Sequence, residues 1–102
     1  MERLSALQIP VRLELSEKKN GISLRTHIGT MYFNEGTSPS QVCEHVMKRQ
    51  NTVTGIWLLQ IQKPGAEGGY ETVTDKKHCL RDGSQYVAMY YNGPDIFLML
   101  PT

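Results

Sequence analysis

Long hydrophobic runs are missing from this sequence: no stretch of its 102 residues approaches the roughly 20 apolar residues of a membrane span. Cysteine is scarce. Cys43 and Cys79 are the only two, too few for a disulfide framework, so a reducing, cytoplasmic setting is expected. A strong excess of one charge is absent too. The net charge is +1, far from the concentrated basic face that a general nucleic-acid binder needs, so no nucleic-acid partner is expected. Met1–Ile9 mixes charged and apolar residues without the apolar run of a signal peptide. What remains is globular composition, 39% hydrophobic and 21% charged, in a chain that suits one domain, residues 1–102. A domain of this size is expected as a monomer, as one part of a larger protein, and with little room for an enclosed cavity.

The pattern along the chain is mostly that of strands. Ile9, Val11, Leu13 and Leu15 alternate with Pro10, Arg12 and Glu14, the period-two mark of a strand with one buried face. Arg12 and Glu14 are expected to face solvent. Asn20-Gly21 accepts positive φ and predicts a reversal into a second strand within Ile22–Phe33, where Gly29 marks either a bulge or a close backbone approach. Ser38-Pro39-Ser40-Gln41 predicts a helix start: Ser38 caps, Pro39 fits the first helical position, and Gln41 closes a capping box. The helix is expected to run to about Gln50, with Val42, Cys43, Val46 and Met47 on its buried stripe and Lys48 and Arg49 in the last turn.

Ile56–Gln62 reads as a central strand, Tyr70–Val73 as a short edge strand, and Ile96–Leu100 as a buried final strand. Tyr86–Tyr91 fits either a strand or a short helical turn, because six residues do not fix a period. The order of a hairpin, one helix and further strands predicts an α+β, ubiquitin-like β-grasp: a mixed sheet of four to five strands packed on one main helix.

Chemistry-bearing clusters are sparse. Cys43, His45, His78 and Cys79 offer the right ligand types for zinc, but Cys-x-His on a helix points its side chains about 200° apart, and His78-Cys79 are sequence neighbours. Glu14, Glu17, Glu35 and Glu44 form no evident pair for acid–base work. No metal, cofactor or catalytic residue is therefore expected. Trp57 reads as a core anchor.

Taken in order, Val11-Arg12-Leu13, the helix over 39–51, Leu58-Leu59-Gln60-Ile61, Tyr86-Val87-Ala88-Met89 and Gly93-Pro94-Asp95-Ile96-Phe97-Leu98 resemble Ras-associating domains, especially those of Ral guanine-nucleotide exchange factors. The resemblance covers Ile9–Leu100, rests on pattern more than on invariant residues, and favours the helical reading of Tyr86–Tyr91. It implies a protein–protein interaction module of signal transduction, not an enzyme. Its second strand would pair antiparallel with a GTP-loaded Ras-like small GTPase. Basic side chains would meet the partner's acidic switch region.

Carried over by position, Arg12 and Arg49 match the basic contacts, with Lys48 beside Arg49. Met31 lies in the pairing strand. The family's basic residue in that strand falls on Gly29, a departure for which Arg25, Lys18, Lys19 or Lys48 would have to compensate. The alternative is a ubiquitin-like scaffold lobe, of the type found in FERM domains, that packs on neighbouring domains without binding a GTPase.

Overall fold

The computed structural model describes residues 7–52, 55–63 and 69–92. The expected final strand at Ile96–Leu100 lies outside the described residues. Six elements follow one another: β1 (Gln8–Lys19), β2 (Ile22–Asn34), α1 (Pro39–Gln50), β3 (Ile56–Gln62), β4 (Tyr70–Thr72) and β5 (Tyr86–Tyr91). The five strands form one sheet in the order β2-β1-β5-β3-β4. β1 and β5 run parallel and the other neighbours antiparallel. One helix on a mixed sheet with a parallel pair at its centre is the β-grasp architecture.

Local chemistry explains the elements. Asn20 and Gly21 take φ of 52° and 77°, the two positive values of a tight hairpin turn, and Lys19 pairs with Ile22 directly across it. The β1–β2 register slips between Leu13 and Glu14. Leu13 faces Gly29 while Glu14 faces His27, so Ile28 is the extra residue of a bulge. The helix opens with the expected capping box. Gln41 N–H donates to Ser38 Oγ at 3.3 Å, and Ser38 N–H donates to Gln41 Oε1 at 3.1 Å. It closes on Asn51 in the left-handed conformation.

The core lies between the helix and one sheet face. Ile9, Val11 and Leu13 of β1, Phe33 of β2, Trp57 and Leu59 of β3, and Tyr86 and Ala88 of β5 meet Val42 and Val46 of the helix. Trp57 is the expected anchor, and its indole N–H donates to Thr52 Oγ1 at 3.1 Å. Cys43 packs at the margin of this core. Met47, expected on the buried stripe, is 44% exposed.

Two expectations are corrected. Tyr86–Tyr91 is a strand and not a helical turn, and it is the central strand in place of β3. Its backbone is claimed on both sides: Val11–Leu15 pair with it in parallel and Ile56–Ile61 antiparallel. Both of its faces are buried. Tyr86 and Ala88 face the helix, while Val87, Met89 and Tyr91 form a second apolar cluster on the opposite face with Ile56, Leu58 and Tyr70. A strand buried on both faces has no polar alternation to read.

The second correction concerns Glu14. It does lie opposite the helix, but it is buried at 8% exposure because Arg12 and Arg25 close over it.

Candidate functional site

Among the described residues, β2 is an edge of the sheet. It is thirteen residues long, and nearly all of it is exposed. Four of its large apolar side chains stand in solvent: Ile22, Leu24, Ile28 and Tyr32, the last at 64% exposure. Backbone alternation fixes which of its groups are available. Glu35 N–H donates to Leu7 C=O at 2.8 Å. Stepping by two along the register, Ile9–Phe33, Val11–Met31 and Leu13–Gly29 are therefore the hydrogen-bonded pairs. The backbone groups of Thr30 and Tyr32 point away from β1, to the open edge.

That assignment locates Met31. Its backbone is turned toward Val11, and its side chain is partly buried against the core. The edge positions are its neighbours Thr30 and Tyr32. Sequence reading found the strand but not the parity, because parity depends on register, which the bulge at Ile28 resets partway along.

The cations expected at the site fall in two places. Arg12 and Arg25 lie on the face opposite the helix, and both are engaged by one carboxylate. Arg25 Nε reaches Glu14 Oε1 at 2.7 Å, and Arg12 Nε reaches Glu14 Oε2 at 3.3 Å. Arg25 continues inward: its Nη2 donates to Gln60 Oε1 at 3.3 Å, and Gln60 Nε2 donates to Tyr91 Oη at 3.0 Å. Its guanidinium also lies over the Tyr70 ring, 4.7 Å from the centroid. In a flat sheet β2 and β4 would be four strand spacings of ~4.8 Å apart, more than one arginine side chain spans. The sheet is thus curled toward this face. Both arginine side chains remain 40–49% exposed, so each ion pair is a surface-type interaction contributing about 1 kcal/mol or less.

Arg49 and Lys48 lie in the exposed last turn of the helix. Lys48 pairs with Glu44 one turn back at 3.8 Å. Gln41 and His45 line a shallow groove with Met31–Asn34 of β2, and the His45 ring is 6.2 Å from that of Phe33. Arg49 is next in the same i, i+4 row, which puts it on the β2 side of the helix. Arg12, pointing away from the helix, is not brought beside it.

His78, Tyr86 and Arg81 form a small cluster of their own. His78 Nε2 is 2.9 Å from Tyr86 Oη, which also accepts from Arg81 N–H at 3.2 Å. Burial pushes the Cys43 thiol up to about 11, with a backbone hydrogen bond from Leu59 acting in the opposite direction. Among the described residues, no three of His, Cys, Asp and Glu are grouped as a metal would require.

The network of Glu14, Arg25, Gln60 and Tyr91 was missed by sequence reading. Its members come from four strands, and the one local signal was Arg12-x-Glu14 on a single face. No protein-family model, curated protein or solved structure matches the chain.

Proposed function

We propose that this domain is a protein–protein interaction module that binds a GTP-loaded Ras-like small GTPase through β2. The observation that carries the reading is the long, open β2 edge with Ile22, Leu24, Ile28 and Tyr32 exposed along it. An edge of that length with apolar side chains is a template for a strand from another chain, and proteins with no use for one blunt it. In this reading Thr30 and Tyr32 supply the outward backbone groups, and Arg49, with Lys48 beside it, supplies positive charge on the helix side of the edge. Arg12 and Arg25 contribute only as far as the partner's carboxylates compete with Glu14. The choice of a GTPase over another strand-donating partner rests on the sequence resemblance and agrees with the ubiquitin-like fold.

The test is titration of the domain against Ras-, Rap- and Ral-type GTPases, each loaded with a non-hydrolysable GTP analogue or with GDP. The expected result is an affinity of about micromolar for one GTP form and at least roughly tenfold weaker binding of its GDP form. Tyr32→Pro should abolish it, and Arg49→Ala should weaken it and flatten its salt dependence. Equal binding of both nucleotide forms, or none, overturns the reading.

A second reading has its own support: the same exposed apolar residues suit a scaffold lobe covered by a neighbouring domain. Gly29, where the resembled family is basic, favours it. A longer piece of the parent protein in which Tyr32 and Ile28 become protected from solvent without any GTPase would establish it.

A further inference from the structure

The opposite side of the sheet carries a second opening with different chemistry. β4 is only three residues long and pairs with Gln60–Gln62, so it covers one end of β3. The last bond on that side is Val73 N–H to Leu59 C=O at 2.8 Å. By alternation, Trp57 N–H and C=O point the same way as those of Leu59, and among the described residues no backbone group pairs with them. The helix runs alongside. Between it and β3 lies a cavity of about 520 Å3, lined by Pro39, Cys43, Leu58, Leu59 and Val73 and by the neighbours Asp75 and Lys76; the Asp75 carboxylate accepts from Lys77 N–H at 2.9 Å. A second hollow of about 330 Å3 extends along the helix past Met47, Ile56 and Trp57. Ser40 and Cys43 line both, so the two hollows adjoin along the helix, and Glu44 lines the second; together they are called the groove.

We propose that this groove is a second interaction surface. It takes an extended peptide that adds to β3 beyond the end of β4, sets one large apolar side chain in the cavity and places an acidic residue at Lys76. The backbone edge selects the ligand class. A lipid or a compact apolar molecule would fill the hollow but leave Trp57 N–H and C=O unanswered, whereas a peptide main chain answers both. Lys76 favours an acidic side chain, the neighbouring Asp75 carboxylate being turned to the Lys77 amide, whereas Glu44 at the other end is already paired with Lys48 at 3.8 Å. This surface is independent of the one on β2, and its test does not need a GTPase.

The test is selection of a displayed random-octapeptide library on the whole domain, followed by titration of an enriched synthetic peptide. Enriched sequences should share an apolar residue next to Asp or Glu. Ser40 is exposed and lines both hollows, so Ser40→Trp closes the groove without entering the core. Binding should fall roughly tenfold or more in Ser40→Trp and in Lys76→Glu, and in a peptide N-methylated at its pairing amides. It should be unchanged in Tyr32→Pro, which tests the other edge. No enrichment over Ser40→Trp, full binding by that variant, or full binding of the methylated peptide each overturns the proposal.

Discussion

The two edges of this sheet meet the same hazard in opposite ways. On one side, β2 runs thirteen residues with an open backbone and exposed apolar side chains. On the other, β4 is three residues long, and Val73, which follows it, adds one more bond to Leu59 and packs on the core. Short edge strands deny a stray chain enough bonds to dock, and long apolar ones invite it. The difference teaches where selection for a partner is to be sought first. The β4 side is guarded and open only at a short groove, whereas β2 is exposed along its whole length.

The largest expected effect breaks the guarded side. Gly55 leads into β3 at φ +82°, and a Cβ there would stand 2.5 Å from both the Tyr90 hydroxyl and the Tyr91 carbonyl oxygen. Gly55→Ala should lose more than about 3 kcal/mol, read from a urea transition, since backbone strain and a clash with main chain combine.

Next comes a pair that tests the parity of β2. Met31→Pro removes a hydrogen bond to β1 and should cost about 3 kcal/mol, whereas Tyr32→Pro removes an outward amide and should cost within about 1 kcal/mol. Equal losses for the two would mean that the register is not the one described.

A smaller effect separates the edge from the face behind it. Glu14→Gln should lower stability by about 1 kcal/mol, and a double-mutant cycle with Arg25→Met should give a coupling of similar size. If the GTPase reading holds, the same substitution should strengthen binding by freeing both arginines. Unchanged binding would confine Arg12 and Arg25 to a structural part.

An effect that vanishes at neutral pH, and is the smallest there, lies in the groove on the other side. Below pH 9 the Cys43 thiol is protonated whether or not the chain is folded. Above it the unfolded thiol ionises while the folded one holds its proton until about pH 11. The unfolded state therefore binds fewer protons in that window, and stability falls as pH rises from 9 to 11. Chemical denaturation across that range should show the slope, and Cys43→Ala should reduce it.

Much of this was legible in the chain. The capping box at Ser38–Gln41 and the Asn20-Gly21 turn are local chemistry, complete within a few residues, and both stand where they were read. The bulge was signalled by Gly29 and falls on its neighbour Ile28. What could not be read is what depends on distant partners. β5 shows neither strand nor helix period because each of its faces finds its own apolar cover. Glu14 reads as a solvated charge until Arg25, from the next strand, closes over it. Met31 and Tyr32 are adjacent in sequence, and only the pairing with β1 decides which of them turns its amide outward.

The place of β5 governs how the domain comes into being. The strand at the centre of the sheet is the last of the six described elements, and its parallel neighbour β1 is the first of them. During synthesis, β1, β2 and the helix can form early by local contacts, but β1 and β3 are joined only when Tyr86–Tyr91 arrives between them. Loop closure of that length slows the decisive step. Until it occurs, a nascent chain presents one flank of β1 and the flank of β3 turned away from β4 as unpaired edges. Any chain ending before Tyr86 would lack the strand that joins the two halves and would be prone to aggregate rather than form a smaller version of the fold.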